Sequence, residues 1–252
     1  MNIEQTVLDI LGRSQVEGAL LRLPDERLDR KTYEAVNKVI VIAGGKWNKK
    51  SKGHVFEYDA ADVIDGILLT GNVQNVRQDF GQFDSPPAVV ARVIALAEIG
   101  AGMSLLEPSA GIGNIALAAA AAGAEVMCFE IDERRCDVLA RASAKASHRL
   151  DMVVQRDFLT EEPFPLYDRV AMNPPFARQA DIVHVLHAVK FLKPGGRLVS
   201  VMSPTWQTRS TKIAHEFRGF LKSLNAVTVD LPDGSFKDSG TGVNAVIVSF
   251  EI

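Results

Sequence analysis

The tetrapeptide Asn173-Pro174-Pro175-Phe176 carries the most chemical information in the chain. It follows Tyr167 to Met172, which reads as a strand. Two consecutive prolines fix the backbone and remove two N–H donors, so the carbonyl oxygens of the turn are left to accept from a ligand. Together with the Asn173 side-chain oxygen they form a set of acceptors suited to an NH2 group, and Phe176 adds a flat face for a base. An exocyclic amine is a poor nucleophile because its lone pair is delocalised into the ring. Two acceptors on its hydrogens favour a pyramidal nitrogen and return that pair to reactivity. An amide does not titrate, so Asn173 is expected to position the amine and stabilise a developing ammonium, not to serve as a base. A strand merely ended by prolines would look the same in isolation. Three further ligand-type turns argue against that plainer reading.

The first is Leu105-Leu106-Glu107-Pro108-Ser109-Ala110-Gly111-Ile112-Gly113-Asn114, an apolar strand running into a small-residue loop that opens a helix. Open α/β sheets bind ligands at such carboxyl ends of strands. Gly111 and Gly113 let the backbone approach a ligand, while the Glu107 carboxylate repels phosphate and welcomes an ammonium. A Gly-x-Gly turn alone is equally a tight strand-to-helix connection. The second turn, Phe129-Glu130-Ile131-Asp132, puts Glu130 about where nucleotide-binding sheets use a carboxylate to accept both ribose hydroxyls, with Ile131 available to flank an adenine. At the third, Arg156-Asp157-Phe158-Leu159, Asp157 can accept from an adenine amino group and Phe158 can cover its ring; the plainer alternative is a surface Asp beside a core Phe.

The elements that must position these turns follow from periodicity. From Pro87 onward helices alternate with apolar strands, which specifies a doubly wound, mostly parallel sheet. The strands expected are Met103 to Leu106, Val126 to Glu130, Met152 to Gln155, Tyr167 to Met172, Arg197 to Met202 and two more at the end of the chain. The last, Asn244 to Phe250, is expected to return antiparallel at the sheet edge. Residues 1–79 have a different pattern: two helices, the second from about Asp29 to Ala43, then a lysine-rich hairpin and a short helix through Ile64 and Leu68. We therefore expect a small N-terminal α+β domain over 1–79 and an α/β catalytic domain over 80–252. With 252 residues and 47% hydrophobic content the chain can bury a full core.

Taken together, Glu107-Pro108-x-x-Gly111-x-Gly113, Glu130, Asp157 and Asn173-Pro174-Pro175-Phe176 resemble the class I, Rossmann-like S-adenosylmethionine-dependent methyltransferases, and specifically the DNA N6-adenine methyltransferases. The resemblance runs from about Phe80 to Ile252 and implies a mostly parallel seven-stranded sheet. It also implies that Phe83-Asp84-Ser85-Pro86 closes over the methionine end of the cofactor, with Phe83, Ser85, Pro86, Pro108 and Ser109 among its contacts. Downstream, Gly234-Ser235-Phe236-Lys237 falls where this branch stacks an aromatic on a flipped base, so Phe236 and Phe176 would sandwich it. The cofactor motifs precede the catalytic one, and the chain is expected to lack the sizeable target-recognition domain that this family usually carries after these motifs. The chain is in this respect similar to small orphan enzymes of phages and mobile elements.

DNA is accordingly the expected partner. The net charge of -3 gives no global attraction to polyanions, so contact must come from a local patch. Lys46, Trp47, Lys49, Lys50, Lys52 and His54 supply one, unless they form only a solvated hairpin tip. Arg178, Arg209, Lys212 and Lys237 lie nearer the catalytic face. An RNA base amine or a protein glutamine amide would use the same chemistry, and a catalytically inactive nucleic-acid-binding module stays open as the non-enzymatic alternative. Cys128 and Cys136 form no metal-ligand pattern, His184 and His187 lack a third ligand, and no apolar segment is long enough for a bilayer. A cytoplasmic protein without a membrane partner is expected, with no oligomeric state implied.

Overall fold

The computed structural model describes residues 3–56, 60–73, 84–236 and 244–252. The N-terminal part comprises α1 (Gln5–Arg13), β1 (Gln15–Glu17), β2 (Leu20–Arg22), α2 (Arg30–Ile42), β3 (Lys46–Asn48), β4 (Gly53–Val55) and α3 (Ala60–Thr70). Asp29 caps α2 by accepting from the Thr32 backbone N–H at 3.1 Å, as an Asp before a helical repeat should. The four short strands form one antiparallel sheet in the order β1-β2-β4-β3. Val7, Leu11, Leu21, Val36, Ile40, Ile64 and Ile67 give this part a core of its own.

Beyond it lie α4 (Pro87–Ala97), β5 (Ser104–Glu107), α5 (Asn114–Ala121), β6 (Glu125–Glu130), α6 (Glu133–Lys145), β7 (Met152–Gln155), β8 (Tyr167–Met172), α7 (Ala180–Ala188), β9 (Leu192–Met202), α8 (Lys212–Ser223), β10 (Val227–Asp230) and β11 (Val246–Glu251). They build a seven-stranded sheet ordered β10-β11-β9-β8-β5-β6-β7. The pairs from β9 across to β7 are parallel. Neighbouring side chains of a strand point to opposite faces, so Leu105 packs with α4 and α5 while Leu106 packs with α7 and α8. Both faces are covered, which is why these strands read as continuous apolar runs.

Two expectations need correcting. β11 is antiparallel, but it is not an edge strand: it pairs with β9 on one side and β10 on the other. Its near-complete burial from Val246 to Phe250 follows from that interior position. β9 begins at Leu192, before Pro194-Gly195-Gly196, rather than at Arg197, and the extra length accompanies a register irregularity opposite Tyr167 to Arg169.

The two parts are joined at the carboxyl edge of the large sheet. Helix α3 packs against the turn at 177–179, directly after the Asn-Pro-Pro-Phe segment, and against the turn at 204–207. Leu69 joins the core of the larger part, and its carbonyl accepts from the Asn244 N–H at 2.8 Å. Asp65 of α3 forms an ion pair with Arg209, both side chains being buried. No helix among the described residues is long and apolar enough to cross a membrane.

Candidate active site

β5 lies between β6 and β8, so successive connections leave it in opposite directions and a crevice opens at the carboxyl ends. A cavity of about 250 Å³ occupies this crevice. Its lining draws on all four turns singled out in the sequence: Glu107, Pro108, Ser109 and Gly111 after β5, Glu130 and Ile131 after β6, Asp157 and Phe158 after β7, and Asn173 and Pro175 after β8. Ser85 completes the wall, and its carbonyl accepts from Asn114 Nδ2 at 2.8 Å, tying the segment before α4 to the start of α5.

Glu107 is 1% exposed, and its Oε2 has no hydrogen-bond partner among the described residues. Burial, reinforced by the charge of Glu130, raises its carboxyl well above the ordinary range despite a backbone hydrogen bond from Ala116 that acts in the opposite direction. A buried acceptor left in this condition in a cavity wall fits an ammonium group. Glu130 is held differently: Oε2 accepts from the Gly111 N–H at 2.7 Å, and Oε1 accepts from the N–H groups of Ile131 and Asp132 at 2.9 Å. These three bonds fix the carboxylate at the cavity edge, with lone pairs remaining for hydroxyl donors. Asp157 is likewise fixed by the Leu159 N–H at 3.0 Å. Ile131 is 58% exposed, an apolar surface available to a ring, whereas Phe158 is buried against Phe129, His187 and Phe191.

Gly111 lines the cavity as the sequence suggests, and both glycines also serve a purpose not read from the sequence. Gly111 has φ +58°, and a Cβ there would lie 2.4 Å from Arg135 Nη2. Gly113 has φ +92°, and a Cβ would lie 2.1 Å from Leu139 Cδ1. Both positions are therefore demanded by the close approach of α6 as well as by left-handed backbone. Gly113 does not line the cavity but caps α5, and Pro86 caps α4. Phe83 and Lys237 lie outside the described residues.

The acceptor turn itself is well anchored. Pro174 is buried, and the 177–179 turn leads into α7, where Asp181 Oδ1 accepts from the Ile182 N–H and Oδ2 from the Ser203 N–H, each at 3.0 Å. Asp181 thus ties the segment after β8 to the end of β9; burial pushes its carboxyl up to about 7. Phe176 and Phe236 are both buried members of one core cluster and neither lines the cavity. Among the basic groups named above, Lys49, Lys50 and Lys52 are exposed on the β3–β4 hairpin, but His54 is buried against Asn37 and Arg209 against Asp65. Both are engaged inside the fold, His54 through Nε2 with Asn37 and Arg209 through its ion pair, although His54 Nδ1 and Arg209 Nε have no hydrogen-bond partner among the described residues.

Sequence reading missed Arg135 and gave Asp84 only as part of the segment closing over the cofactor; the two line the cavity and pair with each other. A signal was present. Arg135 stands in the first turn of α6, where the helix dipole disfavours a cation. Its partner, far away in the chain, could not be read.

The sheet order, with four strand-end turns converging on one crevice, is the architecture of the class I S-adenosylmethionine-dependent methyltransferase fold. The chain belongs to the methyltransferase small domain family, whose model matches residues 83–227. Similar folds include a protein of Listeria monocytogenes described as a class I S-adenosylmethionine-dependent methyltransferase (15% identity, TM-score 0.57, covering 69% of this chain and 62% of that one). A dimethyladenosine transferase from Plasmodium falciparum matches at 17% identity and TM-score 0.54, over 68% and 63% of the two chains. An O-methyltransferase from Bacillus cereus matches at 16% and 0.51, over 69% and 84%. The chain thus spans 62% and 63% of the first two proteins' lengths.

The residues present fit S-adenosylmethionine: Glu107 for the ammonium, Glu130 for the ribose hydroxyls, Asp157 for the adenine amine and Ile131 for the ring. A raised Glu107 must ionise to receive the ammonium. Cofactor binding is therefore expected to tighten from acid to neutral pH and to release a proton, as seen by calorimetry in buffers of different ionisation enthalpy. Glu107→Gln should remove the proton release. Proton release of equal size in the variant would assign it to another group.

Proposed function

We propose that this protein methylates the N6 exocyclic amine of adenine in DNA. The observation that carries the reading is that Asn173 and Pro175, on either side of the buried Pro174, lie in the wall of the cavity beside the carboxylates that would hold S-adenosylmethionine. Bound S-adenosylmethionine supplies an electrophilic methyl group on sulfur. The target base leaves the stack, and its amine donates to Asn173 Oδ1 and the Pro174 carbonyl. With those acceptors on its hydrogens the nitrogen would regain the lone pair needed to attack the methyl group that S-adenosylmethionine would supply, and its surplus proton would pass to solvent. Phe176 and Phe236 share a core cluster, so stacking a base on them requires part of that packing to open.

The choice of DNA is supported by the motif resemblance and by the exposed lysines of the β3–β4 hairpin, which Asn48 shapes by accepting from the N–H groups of Lys50 and Ser51 at 2.9 and 3.2 Å. A dimethyladenosine transferase shares the fold, so an adenosine is within its range as a methyl acceptor. Labelled-methyl transfer to matched DNA, RNA and protein is the test. DNA should accept label; label confined to RNA or protein would replace the substrate while keeping the amine chemistry. Replacing Lys49, Lys50 and Lys52 together with Ala should weaken DNA binding and reduce the slope of log K against log salt by about 2 to 3. An unchanged slope would remove the hairpin from the substrate path.

A further inference from the structure

Arg135 occupies an unusual position in the cavity wall. From the first turn of α6 it crosses above Gly111, whose missing Cβ makes room for the guanidinium, and Nη2 donates to Asp84 Oδ1 at 2.5 Å. The side chain is 22% exposed. Its Nε is buried without a hydrogen bond, 4.0 Å from Glu130 Oε2. The charged residues lining the cavity are Asp84, Glu107, Glu130 and Asp157 on one side of the balance, and Arg135 and Arg156 on the other. Arg156 is 60% exposed and paired with Glu161, which leaves Arg135 as the more buried cation of the lining.

An amino-acid moiety carries its ammonium and carboxylate on one carbon. If the ammonium takes Glu107, the carboxylate comes to rest within the same loop region, among acidic groups that repel it. It needs a cation, and the guanidinium above Gly111 offers a fork suited to a carboxylate. We propose that Arg135 binds the carboxylate of the cofactor's amino-acid moiety, exchanging its Asp84 partner for that of the ligand, and so makes the site selective for a zwitterionic tail. Asp84 then serves as a stand-in that keeps the partly buried guanidinium matched before the ligand arrives.

This inference rests on S-adenosylmethionine being the cofactor. The test compares the affinities of wild-type protein and Arg135→Gln for S-adenosylhomocysteine and for its decarboxylated analogue, which keeps the ammonium and lacks the carboxylate. The wild type should prefer S-adenosylhomocysteine. The variant should lose about 10- to 100-fold for it and little for the analogue, as expected when a charge-assisted bidentate contact is removed. Arg135→Lys, which keeps the charge without the fork, should fall between. Because the comparison is a ratio of two ligands on one preparation, partial misfolding of a variant cancels. Equal losses for both ligands, or no loss for either, would overturn the proposal while leaving the cofactor assignment standing. Failure of the wild type to bind either ligand would overturn both.

Discussion

Asn173→Ala is expected to lower turnover by at least about 100-fold while S-adenosylmethionine binds within a few-fold of wild type, because the lost group is the one proposed to stabilise charge that develops only in the transition state. The prolines bear on this expectation. Pro174 and Pro175 have no N–H to donate, so the turn presents acceptors, and Pro174 is buried, which holds its carbonyl in place. Asn173 shares the cavity with Glu107, Glu130 and Asp157, the three carboxylates proposed to match the cofactor's ammonium, ribose and adenine. Removing one amide at the end of β8 leaves them intact. Asn173→Asp retains an acceptor and should keep more activity than Ala. Single-turnover kinetics alongside calorimetry separates the two effects, and a variant that turns over normally would displace the catalytic centre from this turn.

Asp65→Ala is expected to destabilise the protein by about 3–5 kcal/mol, since it strands the Arg209 guanidinium in the interior. Arg209 is 2% exposed, and burial already pulls its guanidinium down to about 10. For a chain of this size the loss corresponds to a fall in melting temperature of roughly 6–20 °C. The pair links α3 to the segment after β9, and α3 also rests on the turn that follows Phe176. Activity should therefore decline before unfolding is complete. Replacing both partners, Asp65→Leu with Arg209→Met, should recover much of the stability, because two apolar groups leave no unmatched charge. A double variant no better than Asp65→Ala would show that packing around the pair, not its charge, dominates.

The parts of the fold that were legible in sequence are those whose signal is local. Each ligand turn is an apolar strand that ends at or just before an acidic or amide residue, Glu107, Glu130, Asp157 or Asn173, and the alternation of β5 through β9 with helices left little freedom in how they assemble. Asp29 announced the start of α2 by residue type alone. What escaped is set by contacts between distant residues. β1 and β2 have three residues each, too few for a periodic pattern, and are held by pairing with each other and with β4. The interior place of β11 depends on β10 lying outside it. Gly113 looked like a ligand contact because a glycine in a loop carries no mark of what approaches it; here that is Leu139. His54 and Arg209 counted as available charge until burial matched them to Asn37 and Asp65. Arg135 was misplaced electrostatically in its helix, and only the fold supplied Asp84 as the reason it is tolerated.

The Asn173 to Phe176 turn is proposed to direct methyl transfer to an exocyclic amino nitrogen of adenine. It is tested most directly by incubating the protein and DNA with S-adenosylmethionine carrying an isotopically labelled methyl group, digesting the DNA to nucleosides and identifying the labelled species by mass spectrometry. Label is expected in N6-methyldeoxyadenosine and absent from the Asn173→Ala reaction. Label on a ring carbon or on a hydroxyl oxygen would contradict it.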